Sequence, residues 1–145
     1  MTENKIIDGK KISSEIREKV KFFADKLKKE SGRTPGLAVV LVGEHPASKV
    51  YVRNKIEKTK EVGFESIEHK FDESVSEEKL LNIVEDLNSD DSVQGILVQL
   101  PLPKHINSDK ILDTIDPVKD VDGFHAENVG KLWSGLSSLV PCTPL

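Results

Sequence analysis

The chain has 145 residues, 37% of them apolar and 32% charged, with 21 basic against 25 acidic side chains and a formal net charge of −4. This length suits one domain around a single core, and an acidic balance with scattered lysines argues against a nucleic-acid partner, which calls for a clustered basic surface. One cysteine, Cys142, excludes an intramolecular disulfide and fits a reducing compartment; the opening "MTENKIIDGKK" has neither a secretory signal nor a membrane span, so a cytoplasmic location without a membrane partner is expected.

From the amino end, Ile12, Ile16, Val20, Phe23 and Leu27 recur at helical spacing and form one amphipathic stripe, with Gly32 placed to stop the helix. "PGLAVVLVG" is an apolar run too short for a helix and rich in valine, which reads as a strand near 37–42 covered on both faces. Ser48 is positioned to cap a second helix that runs to about Val62 and ends at Gly63. Its core stripe is Val52, Ile56 and Thr59, and Tyr51, Lys55 and Lys58 form a neighbouring stripe about 100° round the axis. A weaker strand spans 64–71, with Ile67, His69 and Phe71 alternating. "SVSEEKLLNIVEDLNSD" is a third amphipathic helix, with Ser74 and Glu77 at capping-box spacing. "VQGILVQLPLP" predicts a buried strand near 94–100, stopped by Pro101 and Pro103. A short helix at "SDKILDTI" precedes a turn-rich stretch, "DPVKDVDGFHAENVGKLW". The alternation of strand and helix argues an α/β fold, a three-layer sandwich with a mainly parallel sheet flanked by helices.

In open α/β sheets, ligands bind beyond the carboxyl ends of the strands. That rule selects the segment leading to Tyr51 and Lys55, the lone amide Gln99 in its apolar run, and the loop with Asp120, Asp122 and Gly123. Each has a plainer explanation. A lysine on an exposed helix is usually solvated, a tyrosine at a core edge packs its ring, and "DVDG" alone is an Asx-rich turn. Gln99 is more telling, because an amide within a buried strand must find partners. No G-x-G-x-x-G or G-x-x-x-x-G-K-[ST] occurs, so the chain shows no dinucleotide or Walker-type fingerprint. His45, His69, His105 and His125 lack metal-site spacing and read as surface or structural residues, so no metal is expected; Cys142 reads as an inert thiol and Trp133 as a packing residue.

The segments "VGEHPASKVYVRNK", "GILVQLPLP", "PVKDVDGFHAENVGKL" and "PCTP" stand in one order and spacing. Together they resemble the N-terminal catalytic domain of the bifunctional methylenetetrahydrofolate dehydrogenase/methenyltetrahydrofolate cyclohydrolase family, over essentially the whole chain. The resemblance implies one-carbon metabolism feeding purine biosynthesis: NADP-dependent oxidation of 5,10-methylenetetrahydrofolate, then hydrolysis of the methenyl product to 10-formyltetrahydrofolate. It places the family's catalytic lysine on Lys55, its substrate-stacking tyrosine on Tyr51, the amide that positions the lysine on Gln99 and the pterin-holding carboxylate on Asp122. Backbone around Val98, Leu100 and Pro101 is expected to line the same folate slot.

The resemblance also implies the substrate half of a two-domain, amino-acid-dehydrogenase-like architecture. Residues 1–140 are expected to form the folate-binding catalytic domain, and 141–145 the start of a linker to an absent Rossmann-type domain that holds NADP. A fragment of a longer protein is expected over a truncated homologue, with a homodimer for the longer protein. Two other readings stay open: a folate-binding module without turnover, and a pure interaction domain.

Overall fold

The computed structural model describes residues 7–141. Its centre is β1 (Gly36–Val42), the middle of a three-stranded, all-parallel sheet of order β2-β1-β3, with β2 at Glu65–Phe71 and β3 at Gly95–Val98. The period of two along β1 sends Ala38, Val40 and Val42 to one face and Val39 and Leu41 to the other, and all five are buried. On the first face they meet Leu80, Val84 and Leu87 of α3 (Glu77–Ser89) and Ile111 of α4 (Ser108–Thr114). On the second they meet Val52 and Ile56 of α2 (Pro46–Glu61). These are the expected three layers. Leu80 is fully buried, and truncating it to alanine would cost about 2–5 kcal/mol.

Several local expectations are corrected. Helix α2 is not capped by Ser48, which lies buried in its first turn; His45 is the N-cap and Pro46 opens the helix, where a missing N–H costs nothing. Helix α3 is capped by Ser76, whose hydroxyl accepts from Lys79 N at 3.2 Å. Ser74 and Glu77 therefore form no capping box. Glu77 turns towards α4 instead, accepting from Asn107 N at 2.8 Å and Lys110 Nζ at 2.9 Å. Strand β3 stops at Val98, short of the expected residue 100, although Gln99 N still reaches Val40 O at 2.9 Å. Pro101 has no N–H with which to extend the ladder.

The stretch read as turn-rich contains a helix, α5 (Ala126–Trp133), whose N-cap His125 accepts through Nδ1 from Glu127 N at 3.0 Å. Trp133 is 93% exposed and packs no core. The first helix, α1 (Gly9–Ser31), ends as expected at Gly32 in a left-handed conformation. Its apolar stripe, however, is largely exposed: Ala24, about 60–80° round the axis from Ile16 and Leu27, is its buried residue.

Beyond β3 the chain returns to the sheet. Asp120 makes one parallel bridge to Ile96, and Ile96 N donates to Lys119 O at 2.7 Å. Lys119 Nζ reaches back to the carbonyls of Leu87, Asn88 and Asp90 at 3.1, 2.7 and 2.9 Å, a cation on the carbonyl end of α3. This segment carries the remaining wall of the cleft described next.

Candidate active site

Because β1 and β2 run parallel, α2 must travel back across the sheet to join them, and its successive turns line one long groove. The result is a cleft of 780 Å³ bounded by Tyr51, Lys55, Lys58 and Thr59 of α2, by Gly36, Leu37, Gly95, Leu97 and Gln99 along the sheet, and by Val121, Asp122 and Phe124 opposite. It runs from the carboxyl end of β3, where Lys55 meets Gln99, to the amino ends of β1 and β3, and so extends beyond the carboxyl rim on which the four side chains were expected to converge. Gly95 makes the opposite wall possible, since a Cβ there would lie 2.6 Å from Val121 Cγ1.

Lys55, half-buried, points its Nζ at Gln99 Oε1, at 3.3 Å. The amide orientation follows from its other end, because Gln99 Nε2 donates to Leu100 O at 2.8 Å and leaves the acceptor facing the lysine. Gln99 thus has the partners that a strand amide requires. Tyr51, one turn before Lys55, is 62% exposed and presents its ring at the cleft mouth. Asp122 is half-buried in the facing wall. Burial raises its carboxyl above the usual range, the negative Asp120 adds to that, and the positive Lys55 opposes both. No hydrogen bond to the Asp122 carboxylate occurs among the described residues, so its acceptor capacity is unspent. Gly123 follows with φ +66°, and a Cβ there would lie 2.8 Å from Leu139 O, so only glycine lets the chain turn beneath residues 139–141.

The structure thus brings Tyr51, Lys55, Gln99 and Asp122 to one cleft. Val98, Leu100 and Pro101 stand apart from its lining: Val98 is buried, Leu100 takes part through its carbonyl, and Pro101 borders a separate hollow of 270 Å³ with Glu44, Glu73 and Leu102. Cys142 lies outside the described residues, as does all of the expected linker except Pro141. Sequence reasoning missed Phe64, Gln94 and Phe124 in the cleft lining, and it read Thr59 only as core. The buried-strand edge that exposed Gln99 offered the same signal for Gln94, whose Oε1 accepts from Gly36 N at 2.7 Å. His105 bonds Val75 O at 2.9 Å and His69 stacks on Phe71, both structural roles. No helix among the described residues is long and apolar enough to cross a membrane, and none of their His, Cys, Asp and Glu side chains cluster as a metal site would require.

Comparison with known proteins agrees with this geometry. Residues 7–122 match the family described as tetrahydrofolate dehydrogenase/cyclohydrolase, catalytic domain. The chain is 57% identical over 140 residues to bifunctional protein FolD 2 of Roseobacter denitrificans, covering 97% of this chain and 47% of that one. The bifunctional FolD dehydrogenase/cyclohydrolase of Campylobacter jejuni superposes with a TM-score of 0.92 at 48% identity, over 94% of this chain and 49% of its own. The Trypanosoma brucei FolD structure, complexed with NADP cofactor and inhibitor, gives a TM-score of 0.92 at 34% identity, over 99% of this chain and 49% of its own. The chain therefore spans about half the length of the relatives it matches. With a parallel α/β sheet, a lysine–glutamine pair in its cleft and a family match over most of its length, the chain belongs to the tetrahydrofolate dehydrogenase/cyclohydrolase family, as its catalytic domain.

Proposed function

We propose that the cleft binds a reduced folate and that the chain forms the substrate-holding, catalytic half of a methylenetetrahydrofolate dehydrogenase/methenyltetrahydrofolate cyclohydrolase in one-carbon metabolism. The observation that carries this reading is the Lys55 Nζ–Gln99 Oε1 contact of 3.3 Å in a cleft shared with Tyr51 and Asp122. A cytoplasmic location fits the single cysteine.

Methenyltetrahydrofolate carries an amidinium-like cation at its bridging carbon, which water attacks. As the C–O bond forms, Lys55 in its amine form takes a proton from that water. The resulting ammonium then gives that proton to the ring nitrogen as the C–N bond breaks and the adduct's hydroxyl loses its proton to solvent, leaving the 10-formyl product, a regenerated amine and one released proton. Gln99 keeps the lysine in place through both transfers, since its carbonyl accepts from amine and ammonium alike. Asp122 accepts from the pterin's amino and ring N–H groups, a charge-assisted match for an otherwise unpaired carboxylate. Tyr51 offers a flat face to the aromatic parts of the ligand.

The oxidation half uses NADP, which supplies hydride acceptance when bound. The described residues do not fit that cofactor. The turn from β1 into α2 has a single glycine, Gly43, its helix opens on a proline without an N–H, and the carboxylates Glu44 and Glu73 line the hollow beside that turn, where they would repel a phosphate. Calorimetry of this chain with NADP is expected to show no saturable heat; saturable binding would refute this assignment.

The deciding experiment mixes the chain with methenyltetrahydrofolate and follows its ultraviolet absorbance. Decay faster than in buffer supports the enzyme reading. Saturable binding without accelerated decay marks a folate-binding module, and the absence of both decay and binding refutes the folate assignment.

A further inference from the structure

Asp120 stands at the head of the loop that carries Asp122, yet it is only 1% exposed and does not line the cleft. A buried carboxylate is costly unless its oxygens are hydrogen-bonded. Here Oδ1 accepts from Gly123 N at 3.0 Å, while Oδ2 accepts from His125 N at 2.9 Å and from Asn128 Nδ2 at 3.0 Å. Asn128 is itself buried and also donates to Pro117 O at 2.8 Å. The backbone of Asp120 meanwhile bridges to Ile96 of β3. One residue therefore ties the sheet edge, through its backbone, to the turn and the start of α5, through its side chain, and Asp122 lies between two of the fixed points, Asp120 and Gly123.

We propose that Asp120 is a positioning residue which, through its bonds to Gly123, His125 and Asn128, holds the Asp122 carboxylate at the cleft wall and so sets the affinity for reduced folate. This inference rests on the folate reading of the cleft. An asparagine at position 120 cannot satisfy all three donors, because its amide nitrogen must face at least one N–H. The substitution also removes a negative charge that faces Asp122, where it acts together with burial and against Lys55 of α2. Asp120→Asn therefore has two separable consequences: the loop loosens, and Asp122 titrates at lower pH.

The test titrates the whole chain with tetrahydrofolate by calorimetry from neutral to acid pH. Asp120→Asn is expected to weaken binding about 10-fold at neutral pH, the effect of leaving a buried donor unpaired, and to move the acid limb of the affinity profile to lower pH. In an Asp122→Asn background the same change is expected to have little further effect, since the group it acts through is gone. Amide exchange should quicken at Gly123 and His125 but not along β1. If Asp120→Asn fails to fold, Asn128→Ala removes one donor with the charge intact and should give a smaller loss with the same exchange pattern. Undiminished affinity in the folded variant, or an equal loss in the Asp122→Asn background, overturns the proposal. A parent chain that does not bind tetrahydrofolate refutes the folate reading instead, and amide exchange at Gly123 then decides whether Asp120 holds the loop.

Discussion

On one flank of α2 lies the 780 Å³ cleft with Tyr51, Lys55, Gln99 and Asp122; on the other lies a hollow of 530 Å³ lined by Lys49, Arg53, Glu57, Glu68 and Lys70 over Val52, Ile56 and Phe71. Both have an apolar floor, and both are rimmed by ionisable groups from the same helix. The difference is what those groups already hold. In the smaller hollow most of the charges are paired with one another, Lys49 with Glu44, Arg53 with Glu57 at 3.9 Å and Lys70 with Glu68 at 2.8 Å, while Asp72 stands exposed at the rim. Such exposed pairs are screened and contribute little, and they leave little capacity for a ligand. In the larger cleft Lys58 is paired with Glu61, but Lys55 faces a neutral amide and the Asp122 carboxylate is half-buried with no hydrogen bond among the described residues. Unspent hydrogen-bonding capacity in a partly desolvated place, rather than the number of charges, marks the candidate site.

The sharpest way to break this comparison is a matched pair of substitutions on α2. Lys55→Met is expected to lower the rate of methenyltetrahydrofolate hydrolysis by at least ~10²-fold, the contribution of a general acid–base, whereas Lys49→Met on the opposite flank leaves the rate within about twofold. Equal effects on the two flanks, read from the decay of absorbance, would abolish the distinction.

Asp122→Asn comes next. Loss of a charge-assisted acceptor is expected to weaken tetrahydrofolate binding by about 1.5–3 kcal/mol in calorimetry. The same variant should be more stable than the parent without ligand. Asp122 has a carboxyl raised in the folded chain, so its protonated form is favoured there; the associated stability is present below the unfolded value and is lost as pH rises through the folded one. Thermal melts should therefore show the advantage of Asp122→Asn at neutral pH, fading as the solution is acidified. For the same reason, folate affinity of the parent should fall on acidification at a higher pH than an ordinary aspartate would give.

Tyr51→Ala is expected to weaken folate binding by about 0.5–1.5 kcal/mol, the scale of one aromatic contact, with little change in melting temperature because the ring is largely exposed. The smallest effect belongs to Arg53→Ala, which should alter stability by less than about 0.5 kcal/mol and leave folate affinity unchanged. A clear loss of affinity there would mean that the paired hollow shares in binding.

The helices and strands were legible where periodicity was strong. The buried run of β1, the Val52–Ile56–Thr59 stripe of α2 and the stop at Gly32 all lie where local pattern and burial agree. Helix α5 was not legible, because its eight residues contain Gly130 and follow a run of turn formers, and its apolar side chains Val129, Leu132 and Trp133 face outward rather than into a core. The stripe of α1 was legible as a helix, but its burial was not. A stripe states only that one face is apolar, and what covers it is a tertiary matter.

For the site, the residue types and their order were in the sequence, and the motifs that carried the family resemblance named Tyr51, Lys55, Gln99 and Asp122. Helical geometry alone placed Tyr51 and Lys55 one turn apart on a common stripe. That Lys55 faces Gln99, 44 residues away in the chain, follows from the parallel crossover that returns α2 across the sheet over β1, the strand beside β3. That Asp122 is half-buried while Asp120, two residues earlier, is fully buried and spent on three N–H donors depends on the single bridge to Ile96 and the turn at Gly123. Local spacing fixes which side chains share a face, because backbone geometry repeats over a few residues. Which of two neighbouring carboxylates keeps its lone pairs for a ligand is decided by long-range packing, since only the folded chain settles where water is excluded and which donors are near.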